Sequence, residues 1–418
     1  MRILLAGRGS QGDVYPYLSL AAELEKRGHA VTVSLPRIFE KEAEDAGLTY
    51  VLQAFDDIAG MVEGVPDTGN LLEWTRRVII NQFDEFIPLM ERHDVLVAAN
   101  TEFAAPSIAE YCGKPLVRTA FGPFIPGRRI PPPVLPFSKP NPLIRPALLW
   151  AALNAGLNMM VKKTLNAQRR ALGMEPIRDQ GEHAPANADN FLLYSRYLGE
   201  IDPDWKYRWG IGGYCFNDNF PYDGKLHRRF LEFVKKDRRP TIFFTLGSCN
   251  TKKRDLFARR LFEICCEEDY KLVVGCGWWK VGAHLQNREN LFLLDGAVPH
   301  VLVFPHVDAV IHHGGSGTTH SAGRAGKPQL VLPLIIDQFY WAHRVRELGV
   351  GPGGLNIGRV SKKELEKKVR DLVGSRAYRE KAEALGALIR SENGVLAACE
   401  RIEASCPPRE TAEAAADA

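Results

Sequence analysis

The sequence predicts an α/β protein built from two Rossmann-like domains, each around a parallel sheet, that face each other across a cleft. The chain has 418 residues, too many for one typical core and suited to two domains of about 200 residues each. Short apolar strands alternate with helical stretches in two separate series, which is typical of doubly wound parallel sheets. Each series also carries a glycine-rich turn between a strand and a helix, at residues 7–12 and 314–317.

The predicted strands fall on either side of residue 215. The first series comprises residues 2–6, 30–35, 49–52, 95–99 and 115–119. The second series comprises residues 241–246, 271–274, 291–294, 309–312 and 329–332. The polar segment 217–239 is the predicted linker between the two domains.

The composition is that of an ordinary globular chain. Apolar residues make up 45% and charged residues 25%, and the net charge of +4 is too small to argue for nucleic-acid binding. The longest apolar run, residues 146–161, is interrupted by two asparagines and a glycine, so we expect a helix beside a pocket and not a membrane span. The eight cysteines include no CxxC pair and the chain starts without a signal peptide. We therefore expect a reduced, cytoplasmic protein.

Residues 308–326 combine a strand, a tight turn and a helix in a way that suits phosphate. The run 308–311 predicts a buried strand and residues 318–325 predict a helix. Unpaired N–H groups at a helix N-terminus attract anions, and glycines let phosphate oxygens approach the backbone. His313 and the hydroxyls of Ser316 and Thr318 add hydrogen-bond donors to the turn. The sequence therefore predicts a diphosphate site here.

A second polar pair follows the next predicted strand. Asp337 and Gln338 offer several donor and acceptor atoms at that strand end, which suits the vicinal hydroxyls of a sugar. The structural alternative for Asp337 is an N-cap of the helix that begins near Gln338, and the two roles are compatible.

The first glycine-rich turn supports a competing hypothesis. Gly7, Gly9 and Gly12 satisfy the GxGxxG fingerprint of dinucleotide-binding enzymes directly after a strand. That fingerprint expects an acidic residue at the end of the second strand, where this chain reads TVSLPR and ends at Arg37. Because an arginine there suits the phosphate of NADP, an NADP-dependent oxidoreductase is kept as an alternative function.

The order of several motifs resembles one known family. HHGGSGTTH, then DQFYW, then RVRELGVG resemble the donor-binding signature of the family 1 glycosyltransferases of GT-B fold, especially the branch of bacterial antibiotic glycosyltransferases and sterol glucosyltransferases. The resemblance runs along the whole chain. It includes, in the family's order, RILLAGRGSQGDVYPYLSLAAELEKRGHAVTV, TIFFTLGS, GCGWW and AVPHVLVFPHVDAV.

The resemblance implies the GT-B arrangement. Residues 1–215 would bind the acceptor, residues 216–390 would bind the nucleotide sugar, and residues 391–418 would supply a helix that crosses back to the first domain and then a disordered tail. The implied activity is the inverting transfer of a sugar, glucose above all, from UDP-sugar or alternatively TDP-sugar. The acceptor would be a hydroxyl of an apolar molecule such as a sterol, lipid, polyketide or flavonoid.

The resemblance assigns the catalytic base to Asp13, at the end of GSQGD. The structural alternative is an N-terminal helix cap. Plant members instead use a histidine oriented by an aspartate, but this chain has Asp13 at the first place and Asn100, Thr101 and Glu102 at the second. A histidine relay is therefore not expected, and Asp337 is a second candidate base.

The expected donor-binding residues come from both turns and from neighbouring strand ends. They are Ser10, Gly12, Ser248, Trp278, Val298, His313, Gly315, Ser316, Gly317, Thr318, Asp337 and Gln338. Trp278 either stacks on the nucleobase or packs within the domain, and Val298 lies where relatives contact the base through backbone atoms. Four other histidines are expected to be structural, namely His300, His306, His312 and His320.

Neither a metal nor a cofactor is expected. A helix N-terminus and nearby donors can stabilise the departing diphosphate. The DxD sequence at Asp202 and Asp204 precedes the linker, far along the chain from the phosphate turn.

The acceptor side has one suggestive feature. Residues 111–174 contain no aspartate or glutamate, whereas basic and apolar residues alternate through them. This pattern predicts an apolar pocket rimmed with positive charge. It fits either peripheral contact with a membrane that holds the acceptor, or solvated basic helices around a pocket. Besides the transferase and the oxidoreductase, a module that binds a nucleotide sugar without turnover is the third candidate function.

Overall fold

The computed structural model describes residues 1–55, 71–134, 144–218, 223–249, 254–277, 285–296 and 299–406. The strands of the first sheet are β1 Arg2–Ala6, β2 Ala30–Leu35, β3 Tyr50–Leu52, β4 Val95–Ala99, β5 Leu116–Ala120, β6 Asp189–Leu192 and β7 Trp209–Ile211. They pair in parallel in the order β3-β2-β1-β4-β5-β6-β7.

Helices cover both faces of this sheet. They are α1 Gln11–Lys26, α2 Glu40–Asp45, α3 Leu71–Met90, α4 Ala105–Cys112, α5 Pro146–Ala171 and α6 Gln180–Ala186, with a short 3-10 helix at Arg37–Phe39. All five residues of β4 are buried because a core cluster lies on each face of the sheet. Such uniformly apolar strands are typical of parallel sheets.

The second sheet contains β8 Thr241–Thr245, β9 Lys271–Gly277, β10 Leu291–Asp295, β11 Ala309–His312 and β12 Gln329–Val331. These strands are also parallel, in the order β10-β9-β8-β11-β12. Its helices are α7 Gly224–Lys235, α8 Arg254–Glu267, α9 His300–Val303, α10 Ser316–Arg324, α11 Gln338–Glu347, α12 Lys362–Gly374, α13 Arg376–Arg390 and α14 Gly394–Ser405, with a 3-10 helix at Phe304–His306.

The predicted fold class is confirmed, with two differences in detail. The first sheet has two further strands, β6 and β7, which were not predicted because neither is a continuous apolar run: β6 begins with Asp189 and Asn190, and β7 contains Gly210. The segment expected to be a linker, 217–239, contains helix α7. Leu226, Phe230, Phe233 and Val234 recur at helical spacing and pack against the core of the second domain. The apolar pattern of a helix is therefore present in the sequence, among the basic residues that favour a linker.

The two domains pack together through α11. Tyr340 and Trp341 of this helix belong to the same apolar cluster as Ala120, Leu192 and Tyr194 of the first domain. Tyr194 and Trp341 meet edge to face, with ring centroids 6.0 Å apart. The cleft between the sheets is therefore closed on one side by buried aromatic packing.

Helix α14 lies against the first domain although it comes last in the described chain. Ala398, Cys399 and Ile402 are buried in the core cluster that α1 forms with the first sheet. Glu403 pairs with Arg27 at 2.8 Å and with His29 at 2.9 Å. Residues 407–418, where a disordered tail was predicted, lie outside the described residues.

No helix in the described ranges is long and apolar enough to cross a membrane. The run 146–161 lies in α5, as expected, and this helix carries exposed apolar side chains at Leu148 and Met159.

Both sheets reverse their strand order at one point, between β1 and β4 and between β8 and β11. In open α/β sheets, ligands bind outside the carboxyl ends of the strands at such points. The loops after β1, β8 and β11 are the ones that carry Asp13, Ser248 and His313.

Candidate active site

A cavity of about 410 Å³ lies between the two domains at these strand ends. It is lined by most of the predicted site residues, namely Ser10, Gly12, Asp13, Ser248, His313, Gly315, Ser316, Gly317, Thr318, Asp337 and Gln338. Trp278 and Val298 lie outside the described residues. The structure thus brings together residues that are more than 300 positions apart in the sequence.

The turn before α10 is shaped by His312 and Gly314. The Gly314 N–H donates to His312 Nδ1 at 3.0 Å, and His312 Nε2 therefore donates to Gln329 Oε1 at 2.9 Å. Gly314 has φ +94, and a Cβ there would lie 2.6 Å from a methyl group of Val331. Only glycine accepts both this φ and this close approach without strain.

Two helix N-termini converge on the cavity from opposite domains. Helix α10 starts at Ser316 after Gly315, whose lack of a side chain leaves the first N–H groups uncapped. A Cβ at Gly317 would lie 3.8 Å from the Cα of Gly12, near the start of α1. The positive end of the α10 dipole therefore favours an anion in this cavity, whereas the carboxylate of Asp13 already lies at that of α1.

His313 is held as a neutral hydrogen-bonding group beside the turn. Its side chain is buried, and burial lowers the pKa of the imidazole to about 4. Within the described residues, Nδ1 has no hydrogen-bond partner. The ring sits between two glycines, because a Cβ at Gly247 or Gly315 would lie 2.8 or 2.5 Å from it. One ring nitrogen is therefore free for a ligand at neutral pH.

Ser316 has a different role from the one expected. Its hydroxyl donates to the carbonyl oxygen of Phe121, in the first domain, at 2.9 Å. His320 Nδ1 donates to the Ser316 carbonyl at 2.7 Å, and His320 Nε2 accepts the Ser195 N–H at 3.1 Å. Ser316 and His320 therefore hold α10 against the first domain. The backbone N–H of Ser316 and the hydroxyl of Thr318 are the groups left to face a ligand.

Asp13 combines the two roles that the sequence left open. Its Oδ2 accepts the Ser10 N–H at 2.8 Å and the Ser10 hydroxyl at 3.0 Å, which completes a capping box at the start of α1. Gly9 has φ +135 and makes room for this carboxylate, since a Cβ there would lie 2.4 Å from Oδ2. Burial raises the pKa of Asp13, and the bonds from Ser10 oppose that rise. From the described residues, Oδ1 accepts no hydrogen bond.

Asp337 faces the same cavity from the second domain. It stands at the N-cap position of α11, but its side chain caps no backbone N–H and instead accepts the Trp341 indole N–H at 3.0 Å. Asp337 is therefore the N-cap of α11 by position, which was the structural alternative, although its side chain makes no cap hydrogen bond. Burial, together with the negative charge of Asp13, raises the pKa of Asp337 to about 7. A carboxylate with so high a pKa near another is typical of functional sites.

Gln338 and Ser248 also line the cavity. Gln338 Oε1 accepts the N–H groups of Leu334 and Ile335 at 2.8 and 3.1 Å, and its Nε2 donates to Cys249 Sγ at 3.3 Å. Its side-chain oxygen is thus used to hold the loop before α11. Ser248 follows the turn at Gly247, which has φ +56, and lines the cavity.

Several lining residues were not found from the sequence. His300 was expected to be structural, but it lines the cavity, and burial lowers its pKa to about 4. Arg324 lines it one turn or more beyond Thr318 on α10 and pairs with Asp218 at 2.6 Å. Helical spacing was a usable signal for Arg324, which lies seven residues after Gly317 and three after Ser321, both of which line the cavity. Tyr214 stacks on His320 with ring centroids 4.8 Å apart. No sequence signal pointed to Tyr214, because its partners are distant in the sequence.

The geometry of the first glycine-rich turn disfavours dinucleotide binding. In a dinucleotide site the N–H groups of this turn would meet a pyrophosphate. Here the Ser10 N–H is taken by the carboxylate of Asp13, whose negative charge would repel a phosphate. Arg37, the candidate contact for an NADP phosphate, is exposed and lies 3.7 Å from Glu40.

The DxD sequence has a structural use. Asp202 is buried and its Oδ2 accepts the N–H groups of Arg128 and Arg129 at 3.0 and 2.9 Å. Asp204 pairs with the Arg129 side chain at 2.8 Å. Across the described ranges, no group of three or more His, Cys, Asp or Glu side chains is placed to hold a metal ion.

The basic segment 111–174 contributes little to the described cavity. Of its described residues, only Phe121 lines it, and residues 135–143 lie outside the described part of the chain. Arg169 is buried and pairs with Glu110 at 2.8 Å, and Arg129 pairs with Asp204. Acidic residues from outside the segment therefore neutralise part of its charge.

Comparison with known proteins identifies the family of the chain. Residues 3–128 match the family model of the glycosyltransferase family 28 N-terminal domain, and residues 288–394 match that of the erythromycin biosynthesis protein CIII-like C-terminal domain. The chain is 30% identical to glycosyltransferase GtfE of Amycolatopsis orientalis, over 84% of this chain and 85% of that one. It is 27% identical to a sterol 3-beta-glucosyltransferase of Yarrowia lipolytica over 94% of this chain, but spans only 28% of that relative's length.

Solved structures show the same fold. The glycosyltransferase of kitacinnamycin superposes with a TM-score of 0.74 at 20% identity, covering 97% of this chain and 99% of the other. The calicheamicin glycosyltransferase CalG4 superposes with a TM-score of 0.70 at 20% identity, covering 97% and 98%. With the identity to GtfE and the two domain models, these findings show that the chain belongs to the family 1 glycosyltransferases of GT-B fold, among the relatives of antibiotic glycosyltransferases and sterol glucosyltransferases.

Proposed function

We propose that the protein is an inverting glycosyltransferase that moves glucose from UDP-glucose to a hydroxyl group of an apolar acceptor. The observation that carries this proposal is the shared cavity. It places the carboxylate of Asp13 from one domain opposite the uncapped N-terminus of α10 and His313 from the other. A base and an anion site on opposite walls are what a direct displacement at a sugar carbon needs.

In the proposed reaction, Asp13 accepts the proton of the acceptor hydroxyl as its oxygen attacks the anomeric carbon. The bond between that carbon and the diphosphate oxygen breaks, and UDP leaves with the electron pair. The N–H groups at the start of α10 and the free ring nitrogen of His313 stabilise the charge that develops on the diphosphate. Because the attack is a single displacement, the anomeric configuration inverts.

The donor is assigned from the sugar end of the cavity and from the relatives. Asp337 and the groups around it offer acceptors for sugar hydroxyls. Several relatives are named as glucosyltransferases, among them the vancomycin aglycone glucosyltransferase of Amycolatopsis orientalis. A rhamnosyltransferase of the same fold has been solved with thymidine diphosphate, so a TDP-sugar is the alternative donor. We propose that neither a metal nor a cofactor takes part.

The test is an assay of free nucleotide diphosphate. The purified protein is incubated with UDP-glucose or TDP-glucose and a panel of sterols, flavonoids and polyketides, and the anomeric configuration of any product is read by NMR. We expect UDP release that depends on an acceptor, and a product of inverted configuration. UDP binding without release in any combination would indicate a non-catalytic module, and NADPH binding without UDP binding would favour the oxidoreductase.

A further inference from the structure

The loop between β12 and α11 holds an isoleucine in an unusual backbone conformation. Ile336 has φ +46, in the left-handed region that glycine and asparagine favour and that β-branched side chains avoid. The loop is fixed around it, because Gln338 Oε1 accepts the N–H groups of Leu334 and Ile335. Backbone strain of this kind persists where the surrounding structure enforces it, and such strain clusters at functional sites.

The conformation exposes two large apolar side chains inside the cavity. Ile335 and Ile336 are each 53% exposed, and both line the cavity directly before Asp337. Leu334, the preceding residue, instead packs against the core of the second domain. Exposed apolar surface beside Asp337 contributes favourable free energy only when a ligand covers it and removes it from water.

The charges nearby define what that ligand is. The carboxylates of Asp13 and Asp337 face this part of the cavity. Among the described lining residues Arg324 is the one lysine or arginine, and Asp218 neutralises it. An anionic ligand would therefore be repelled here. Phosphates belong at α10, and a sugar presents hydroxyls. The residues expected to contact the nucleobase, Trp278 and Val298, follow β9 and β10, at the opposite edge of the sheet from β12. No part of the donor is therefore expected at the two isoleucine side chains.

We infer that Ile335 and Ile336 contact the apolar skeleton of the acceptor, so that the donor-binding domain also selects the acceptor. The acceptor class is an uncharged, apolar alcohol. This inference rests on the proposed transferase function. Aromatic residues of the first domain, Tyr15 and Phe121, line the same cavity as Asp13 and add further apolar surface to it.

The experiment compares acceptors and donor in variants of the pair. Ile335→Ala, Ile336→Asn and the double variant are assayed with a sterol, with a bile acid that carries a hydroxyl and a carboxylate, and with butanol. Asparagine tolerates the left-handed conformation, so Ile336→Asn keeps the loop foldable. Leu388→Ala is the matched control, because Leu388 is an exposed apolar residue at 46% that does not line the cavity.

We expect the double variant to raise the KM for the sterol by roughly tenfold or more, since apolar contacts in a pocket discriminate by about this factor per group. The KM for UDP-glucose and the Kd for UDP measured by calorimetry should stay within about twofold, because the substitutions remove contacts with the acceptor and none with the donor. The wild type should use the sterol better than the bile acid. The KM for butanol should change little between wild type and variants.

Three outcomes would overturn the inference. A raised donor KM with an unchanged sterol KM would assign the pair to the sugar. Unchanged values for both substrates would show that the pair contacts neither, while leaving the transferase function intact. Preference for the bile acid would contradict an uncharged acceptor. By contrast, a wild type that neither binds UDP nor releases it from UDP-glucose would refute the proposed function itself, and the inference with it.

Discussion

At the scale of single residues, Asp13 shows how one side chain serves folding and chemistry together. Its Oδ2 caps α1 through Ser10, while its Oδ1 receives no bond from the described residues. The cap fixes the rotamer, so the second oxygen needs no reorganisation to accept a proton. The two roles that compete in the sequence are therefore compatible in the structure.

The first prediction is that Asp13→Asn lowers kcat by about a hundredfold or more, since a positioned general base contributes roughly 10²–10⁴. The Kd for UDP should change little because the base acts only in the transition state. Acceptor-dependent UDP release and calorimetry measure the two quantities. Turnover within a few-fold of wild type would move the role of base to Asp337 or to the substrate itself.

The second prediction concerns the pH dependence of stability through Asp337. Its pKa is raised to about 7 in the folded protein, above the usual value of 3.8. A raised acid pKa means that this group favours the folded state at low pH and that the benefit is lost as pH rises through about 7. Asp337→Asn should thus stabilise the protein at pH 8 by on the order of 1–3 kcal/mol and much less at pH 5.

Thermal unfolding of wild type and Asp337→Asn at pH 5 and pH 8 tests this directly. The Trp341 indole retains an acceptor in the asparagine side chain, so a lost hydrogen bond does not confuse the comparison. An equal change in midpoint at both pH values would show that the Asp337 carboxyl titrates normally.

At the scale of elements, the turn and helix after β11 form the proposed diphosphate site, and its shape depends on glycine. Gly247 and Gly315 make the space for His313, and Gly314 makes the turn. Ser316 looks like a phosphate ligand in the sequence, but its hydroxyl holds the helix to the first domain. In the proposed function, α10 therefore binds the diphosphate through its backbone N–H groups, while its side chains hold the helix against the first domain.

The third prediction is that His313→Ala weakens UDP binding by about ten- to a hundredfold. In this variant UDP would lose the hydrogen bond that the neutral imidazole donates to a charged phosphate, which is worth roughly 1.5–3 kcal/mol. Calorimetry with UDP measures the effect. His343→Ala is the control, because His343 is on α11 but does not line the cavity, and its UDP affinity should match wild type. If His313→Ala and His343→Ala bind UDP equally well, His313 does not contact the diphosphate.

The fourth prediction is that EDTA leaves transfer intact, because the N–H groups at the start of α10 and a hydrogen bond from the neutral His313 would stabilise the diphosphate. The assay is UDP release before and after chelation and dialysis. Complete loss that Mn²⁺ restores would show that a metal ion carries this role.

At the scale of the molecule, the last described helix stabilises the first domain. Helix α14 buries Cys399 and Ile402 against the core of the first sheet, and Arg401 and Glu403 pair with Asp189 and Arg27. The chain therefore passes between the domains twice, once after β7 and once before α14. Both crossings, with the packing of α11, set the position of one domain on the other.

The fifth prediction is that Ile402→Ala destabilises the protein by about 2–4 kcal/mol, because a buried isoleucine leaves a cavity when truncated. Glu400→Ala, on the exposed side of the same helix, should have little effect. Thermal unfolding of both variants tests this. If both lose the same stability, the helix contributes by its presence alone and not through core packing.

The sequence by itself determined the fold class and most of the site. Ten of the twelve strands were predictable because apolar runs bounded by turns encode parallel strands locally. Strands β6 and β7 were not predicted because Asp189, Asn190 and Gly210 interrupt their apolar runs. Apart from Trp278 and Val298, which lie outside the described residues, every predicted site residue lines the one cavity described here.

Only the tertiary structure decided what these residues do. The bond from Ser316 to Phe121 and the nearness of Asp13 to Asp337 join residues hundreds of positions apart, and no local pattern encodes such distances. The left-handed conformation of Ile336 likewise contradicts its local preference and exists because Gln338 and the packed domain hold the loop. Local hydrogen bonding and periodicity can be inferred from sequence, whereas pKa values, strain and contacts across a cleft depend on how both domains pack.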